Sequence, residues 1–460
     1  MPLSFSRMWL IRAVGRGMIV LFSLTACLHA NRVSAAYILE EPASDSRVFS
    51  VNSRLEVSGQ LETATGGGKA VALKLKVNAS HKYRERRLTG TGRDAEAFRS
   101  LRDYDDAAAK IEVDQQSTSA RLPESRTLLV AYGTREGVGF YCPAGPMSYG
   151  ELELLRMPGD SLAGLALLPP KAVSVGEKWS TSSWVIQMIT GTEVVLKSDL
   201  TCELQSVRAD VAKVKFQGRI EGATAGAASE LEISGHYLFD LKGKYLKRLE
   251  MTQKEKRSVG SVTPGVDVVA KIVLDRQPVK EAGRLNDALV AKMPLEPDES
   301  VMLLRFRSPW NVGFLYDRNW HVFHQSNQVA VLRLLDKGSL IAQCNVTKIP
   351  SAKPGEQTSE AQFQQDIRTA LGGKLEEIVK AELLKSDDKR FRYRVTAIGE
   401  SNKLSMTWIY YLCVAPSGRQ VALVFSVETK LLEQLGNRDL GIVSTLEFFQ
   451  PTIEPTKATR

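Results

Sequence analysis

The sequence is poor in the residues from which metal and catalytic sites are usually built. It has five histidines and five cysteines in 460 residues. No two cysteines have the C-x-x-C spacing of a zinc or dithiol redox site. The H-E-x-x-H and G-x-S-x-G patterns of zinc peptidases and serine hydrolases do not occur either. We therefore expect no metal, no cofactor and no catalytic residues.

Charge of one sign is not concentrated along the chain. The sequence has 61 lysines and arginines against 52 aspartates and glutamates. Four of the arginines lie in residues 1–35, which contain no acid, so the rest has 57 basic and 52 acidic residues, a net charge of +5. Nucleic-acid binding needs a concentrated basic face, and we expect no such partner. The one basic cluster, HKYRERRL at His81 to Leu88, is predicted to be the solvent-facing side of a strand.

Residues 1–35 have the order of an export signal. Three arginines precede an apolar run, Gly17 to Ala30, and small residues follow it. The run is too short for a comfortable transmembrane span. Two processing routes stay open. Cleavage after Ala35 releases a soluble protein, whereas Leu24 to Cys27 resembles a bacterial lipobox, in which Cys27 is lipidated. We expect an extracytoplasmic protein, periplasmic or secreted, with membrane attachment only through a lipidated Cys27.

Four cysteines follow the signal. An even number in an exported chain favours disulfide bonds. Cys344 and Cys413 both lie in strand-like runs, and a bond between them requires that they sit opposite each other on neighbouring strands. Cys142 and Cys202 are the second candidate pair. The alternative is that all four are buried thiols, which pack as small apolar groups.

Residues 36–277 are predicted to form a mostly-β domain. Long stretches alternate apolar and polar residues, and the dipeptide at 242–243 (Lys-Gly) marks a hairpin turn between two of them. The exception is a helix predicted around Phe98, Leu101 and Tyr104, which recur at helical spacing.

The segment LPPKAVSVGEKW, Leu168 to Trp179, followed by long strands, resembles bacterial envelope domains of the half-barrel kind, similar to the lipoprotein carriers LolA and LppX. The resemblance covers about residues 37–277 and implies a curved antiparallel sheet. A curved sheet with one covered face can leave an apolar cleft, and one expectation is an apolar ligand in it. The other expectation is a protein partner.

Residues 278–299 are predicted to be a linker, since charged, proline-containing segments stand at both of its ends.

In residues 300–450, strands lead to a helix that starts at a capping box, Ser359 with Gln362. An apolar stripe continues from Phe363 through Leu375 and Ile378 to Val379. Three more strands, with a turn at PSGR (416–419), and a closing helix follow. Residues 451–460 are predicted to be a flexible tail.

Three short motifs in residues 300–450 resemble the PsbP-like family: SPW at 308–310, YDRNWHVF at 316–323 and STLEF at 444–448. The order of strands, long helix, antiparallel strands and final helix is similar too. The resemblance implies an α/β sandwich with an antiparallel central sheet and a non-catalytic accessory role. No metal ligand of the plant members can be matched here.

Two of the five histidines, His321 and His324, stand three residues apart in NWHVFHQ. Trp, Val and Phe in so short a run favour a strand. Side chains alternate across a strand, so Trp320, Val322 and His324 are predicted to share one face and His321 the other. The two imidazoles then point apart and cannot hold one ion.

These patterns together predict an α+β protein with a mostly-β first domain and a PsbP-like second domain. We expect a non-catalytic binding or accessory protein of the bacterial cell envelope. The alternative is an extracytoplasmic hydrolase whose catalytic groups meet only in three dimensions, because such groups often come from distant positions.

Overall fold

The computed structural model describes residues 35–42, 45–64, 70–90, 94–293, 297–385 and 390–450. The predictions of an export signal with Cys27 and of a flexible tail at 451–460 fall outside these residues, apart from Ala35. The chain from Ala36 onward forms one compact unit. Among the described residues, no helix has both the length and the apolarity needed to cross a bilayer.

The first part of the chain is built mainly from long strands. They are β1 (Ala36–Tyr37), β2 (Val48–Ala64), β3 (Ala70–Thr89), β4 (Phe98–Val113), β5 (Gln116–Arg121), β6 (Leu128–Thr134), β7 (Gly137–Tyr141), β8 (Val173–Ser174), β9 (Lys178–Ser180), β10 (Val194–Ser198), β11 (Thr201–Arg208), β12 (Val211–Thr224), β13 (Ala227–Asp240), β14 (Tyr245–Arg257) and β15 (Gly265–Val279). Three helices accompany them: α1 (Tyr149–Leu155), α2 (Ser161–Ala166) and α3 (Ser183–Thr190).

Thirteen of these strands form one open antiparallel sheet. Its order is β7-β6-β4-β3-β2-β15-β14-β13-β12-β11-β9, with β5 added beside β4 and β10 beside β12. Apolar and polar residues alternate along the strands, as in β13, where every second residue from Ala227 to Ile233 is buried. The hydrophobic alternation therefore gives the sheet an inner face, which carries the core, and an outer face.

The sheet curves around the three helices. Helix α3 contacts β6 and β7 at one end of the strand order and β10 near the other end. In a flat sheet β7 and β10 would be roughly 40 Å apart, because neighbouring strands are about 4.8 Å apart. An eight-residue helix is only about 12 Å long. The inner face is therefore concave, which is the curved antiparallel sheet that the sequence predicts.

The rest of the chain adds two smaller sheets. Its strands are β16 (Leu304–Arg307), β17 (Val312–Tyr316), β18 (Trp320–Gln325), β19 (Val329–Asp336), β20 (Ser339–Ile349), β21 (Leu375–Leu383), β22 (Phe391–Ser401), β23 (Leu404–Val414), β24 (Gln420–Glu428) and β25 (Glu447–Phe448). Its helices are α4 (Asp287–Val290), α5 (Glu299–Met302), α6 (Glu360–Leu371), α7 (Leu432–Leu435) and α8 (Arg438–Ser444).

Strands β18 to β24 make a seven-stranded antiparallel sheet in the order β18-β19-β20-β24-β23-β22-β21, and β16, β17 and β25 make a three-stranded one. Alternate residues of β23 pack on opposite faces of the seven-stranded sheet. On one face, Trp408 and Tyr410 pack with the α6 residues Phe363 and Ile367. Tyr411 packs in the main core, which also contains α8 side chains. A central antiparallel sheet therefore lies between helices, as expected for this part of the chain.

One predicted helix is a strand, and the helix predicted to start at Ser359 does start there but ends earlier than predicted. Phe98, Leu101 and Tyr104 lie on strand β4, and their helical spacing is coincidental because β4 is paired on both sides with β3 and β6. The apolar stripe beyond α6 is also strand: the helix ends at Gly372, which has φ +51°. Residues such as Ile378 belong to β21.

The two parts of the chain share packing. The cluster of buried side chains that fills the large sheet also includes Leu304 and Phe306 from the second part. Arg305 N donates to Met147 O at 2.7 Å. Within the predicted linker, residues 278–299, the described residues Leu285, Leu289 and Val290 pack on the outer face of the large sheet, and Leu285 is fully buried. Separate folding of residues 36–277 and 300–450 stays a prediction.

Candidate functional site

The helix-covered half of the inner face contains a buried ionic network. Arg102 on β4 makes two parallel hydrogen bonds to Asp160, each 2.7 Å long. Its Nε donates to Glu85 Oε1 of β3 at 3.1 Å. Arg276 on β15 donates from Nε to the other oxygen of Glu85 at 3.2 Å and pairs with Glu41 through Nη1. With Arg87, whose Nη1 lies 3.9 Å from Glu41 Oε2, three arginines balance three carboxylates within a few ångströms.

Burial and hydrogen bonding decide what this network can do. Ser161 Oγ donates to Glu85 Oε1 at 2.6 Å, and both residues are fully buried. Burial acts to raise the pKa of the Glu85 carboxyl, but Arg102 and Arg276 outweigh it and lower the pKa to about 2. A carboxylate whose charged form is stabilised this strongly is a poor base. Because Asp160 also caps α2, the network ties that helix to the sheet.

The basic cluster HKYRERRL lies at the centre of this network. The prediction that it forms a solvent-facing side of a strand is wrong, because most of its side chains are buried. Glu85 and Arg87 point to the inner face, while Arg86 is buried on the outer face against Leu285 O, at 3.0 Å. Burial is tolerated because partners from distant parts of the chain supply opposite charge. His81, in the same strand, is within 2.9 Å of Leu154 O through Nε2, and burial lowers its pKa to about 4.

The other half of the inner face is aliphatic, and no helix of the described residues belongs to its cluster of packed side chains. We call this surface the aliphatic patch; its members are Leu75, Val266 and Val268, with the partly buried Val57, Leu61, Val77 and Val113. All of them lie on β2, β3, β4 and β15. Helix α3 lies at the edge of the aliphatic patch: Gln253 Nε2 of β14 donates to Thr190 O of α3 at 3.4 Å.

The aliphatic patch is only partly exposed: Leu75, Val266 and Val268 are 7–9% exposed, and its other members are half-buried. Two further inner-face residues beside it, Ile111 on β4 and Val71 on β3, are 37% and 41% exposed. Ile111 is opposite Val77 in the strand register. A shallow cavity of about 650 Å³ opens at this end and is lined by Leu73, Val113, Asp114, Gln115 and Gln116. Among the described residues of β2, β3, β4 and β15, the two exposed large aliphatic side chains, Val71 and Ile111, both lie on the concave side.

The histidine pair lies on a strand, but its predicted orientation is wrong. Strand β18 has a bulge at Phe323, so that His321 pairs with Arg333 and His324 with Val331. Arg333 and Val331 are two residues apart and share a face, and both histidines therefore point to the same side. No group of three or more metal-ligating side chains occurs in the described part of the chain.

The predicted disulfide bonds do not form in this structure. No bond joins any two of Cys142, Cys202, Cys344 and Cys413, and all four are buried. Cys344 and Cys413 are not on neighbouring strands: β24 lies between theirs, with Cys344 opposite Phe425 and Cys413 opposite Val421. Two strand spacings already exceed the roughly 7 Å between Cα atoms that a disulfide can span. Cys27 is outside the described residues.

The ionic network and the aliphatic patch were both missed by sequence reasoning. Alternation along β2, β3 and β15 does reveal which residues share a face. It does not reveal which stretch of that face the helices cover.

No family model matches this chain, and no curated protein matches it. Solved structures give weak similarities. A cyanobacterial PsbP from Synechocystis sp. PCC 6803 is 16% identical, with a TM-score of 0.26, over 32% of this chain and 93% of that one. A lipovitellin structure described by its lipid–protein interactions is 12% identical, with a TM-score of 0.29, over 52% of this chain and 26% of that one.

A Bacteroides thetaiotaomicron VPI-5482 structure is 12% identical, with a TM-score of 0.24, over 32% of this chain. This chain spans about half of that structure's length, 48%. TM-scores below 0.3 do not place the chain in a family. Its function is therefore inferred from its own geometry.

Proposed function

We propose that this is an exported, non-catalytic protein of the bacterial cell envelope that binds an apolar ligand on the aliphatic patch. The observation that carries the proposal is the partial exposure of aliphatic side chains on the concave face, beyond the point where the helices end. Covering apolar surface stabilises a complex by about 25 cal/mol per Å². A long aliphatic chain fits an elongated surface made of parallel rows of valine and leucine.

The non-catalytic part of the proposal is supported by the ionic network. A hydrolase needs a nucleophile that substrate can reach and a base that can accept its proton. Ser161 is fully buried, and its carboxylate partner Glu85 has a pKa lowered to about 2. Export is supported by the arrangement of residues 1–35 and is tested by the intact mass of protein purified from the cell envelope. That mass places the N-terminus near Ala36 or shows a diacylglycerol on Cys27.

Binding is tested by titrating the purified protein with a fluorescent fatty-acyl probe. Ile111→Asp puts a charge onto the inner face at a partly exposed position, and we expect it to weaken binding at least about tenfold, which corresponds to about 1.4 kcal/mol.

The matched control is Val269→Asp. Val269 lies on the outer face of β15, opposite Ser58 and Lys254. Binding by this variant should equal that of the wild type. Equal binding by both variants, or none by the wild type, would refute the proposed function. A wild-type dimer that Ile111→Asp dissociates would assign the patch to a second copy of the chain instead.

A further inference from the structure

The aliphatic patch ends at a row of polar side chains on β14. Gln253, Glu255 and Arg257 alternate toward the inner face, where Glu255 is opposite Val268 and Arg257 is opposite Val266. Side chains directly opposite on antiparallel strands have Cβ atoms about 5 Å apart. A ligand that lies across the strands of the patch, from β4 toward β15, therefore meets this polar row at one end.

Two polar atoms of the row are buried without a hydrogen-bond partner among the described residues: Gln253 Oε1 and Arg257 Nε. The Gln253 side chain is only 4% exposed, and its Nε2 makes only long contacts of 3.4 Å, to Thr190 O and Glu255 Oε2. The Arg257 Nη1 lies 3.4 Å from Glu255 Oε1, while its Nε has no acceptor within the described part of the chain. Such atoms are costly to leave unpaired in a folded protein. Neither atom is accessible in this structure, so a ligand can complete their hydrogen bonding once the two side chains turn toward the patch.

The charges around the row give an anionic headgroup no net attraction, because the carboxylates Glu255 and Glu193 offset the cations Arg257 and Arg156. Glu255 already pairs with Arg257. A second carboxylate, Glu193, lies close enough to interact electrostatically with Arg257 and accepts a hydrogen bond from Ala225 N at 2.6 Å. An additional anion would be repelled by both carboxylates. The unpaired atoms require one donor and one acceptor from the ligand.

We infer that the ligand is an amphiphile with an acyl chain and an uncharged headgroup bearing several hydroxyls, such as glycerol or a sugar. The chain lies on the aliphatic patch and the headgroup lies against Gln253 and Arg257. A hydroxyl both donates, here to Gln253 Oε1, and accepts, here from Arg257 Nε. The Cα atoms of the two residues are about 13 Å apart, but both side chains reach Glu255 between them, so the two polar groups are closer together than the Cα atoms and a headgroup with two or more hydroxyls can contact both. This inference rests on the proposed function.

The test is displacement of the fluorescent acyl probe by three ligands of equal chain length: 1-decanoylglycerol, methyl decanoate and decanoate. With the wild type, we expect 1-decanoylglycerol to bind about tenfold more tightly than methyl decanoate, a difference of about 1.4 kcal/mol, and more tightly than decanoate. Gln253→Met and Arg257→Met should each reduce that preference to less than about threefold. Lys254→Met, on the outer face between them, is the control and should keep it.

Equal binding of 1-decanoylglycerol and methyl decanoate by the wild type would overturn the inference, as would tightest binding of decanoate. Retention of the preference in both inner-face variants would also overturn it. Circular dichroism checks that each variant folds; if one does not, the other variant and the wild-type ligand series still decide. Failure of the probe itself to bind counts against the proposed function, not against the headgroup contact alone.

Discussion

The Arg102 guanidinium and the Asp160 carboxylate meet in two parallel hydrogen bonds of 2.7 Å each. Arg102 stands on β4, and Asp160 is the cap of α2. Only 1% of the Arg102 side chain and 7% of the Asp160 side chain are exposed. The pair therefore holds helix α2 on the concave face. The helices do not extend over the aliphatic patch beside it.

Removing the cation from this network should be strongly destabilising. Arg102→Met leaves Asp160 and Glu85 buried without their main partner, and we expect the free energy of unfolding to fall by about 3–5 kcal/mol. Urea denaturation measures the change. The control is Arg121→Met, which breaks a 2.7 Å ion pair with Asp106 in which the arginine side chain is 73% exposed. It should cost less than about 1 kcal/mol. Similar losses in the two variants would contradict the structural role of the network.

Acid should weaken the fold through His81. Burial lowers the pKa of this imidazole from 6.5 to about 4, so the unfolded chain takes up a proton at a pH where the folded chain does not. Stability is therefore complete above pH 6.5 and is lost as pH falls toward 4. Between pH 7 and pH 5 the wild type should lose about 2 kcal/mol more than His81→Gln. His324→Gln, at an exposed position, should behave as the wild type. Identical pH profiles for wild type and His81→Gln would contradict this.

Two glycines bring the large sheet and the seven-stranded sheet into contact. A Cβ on Gly338 would lie 2.7 Å from Gly226 Cα, and Gly338 has φ +80°. Gly355 has φ +81° and nothing within 4 Å of its Cβ position. Since backbone strain is the same at both sites, Gly338→Ala should destabilise the protein by at least about 1 kcal/mol more than Gly355→Ala in thermal or urea unfolding. Equal effects would show that the glycine contact contributes nothing.

Thiol counting tests the cysteine geometry. We expect Cys142, Cys202, Cys344 and Cys413 all to react with a thiol reagent in denatured, unreduced protein, because the strand order keeps Cys344 and Cys413 apart. Peptide mapping identifies the four labelled positions. A peptide that joins Cys344 to Cys413 would show that β20 and β23 are not arranged as described.

The alternation of apolar and polar residues, with turn residues between the runs, predicted strands and turns correctly where the pattern lies within a single strand or hairpin. The turn at 242–243 falls between β13 and β14, and that at 416–419 between β23 and β24. The same patterns did not predict the position of side chains whose partners lie far away in the sequence. Arg276 pairs with Glu41 across 235 positions of sequence, and no local spacing records this. In the same way, one bulged residue, Phe323, reversed the predicted face of His324.

The central claim, that an acyl chain lies on the aliphatic patch, is tested most directly by photocrosslinking. A fatty acylglycerol with a diazirine in its chain is bound to the purified protein and irradiated, and the labelled peptides are mapped by mass spectrometry. We predict labels at inner-face residues of β2, β3, β4 and β15, around Leu61, Leu75, Ile111 and Val266, and loss of labelling in Ile111→Asp but not in Val269→Asp. Labels confined to the outer face or to residues 300–450 would contradict the claim.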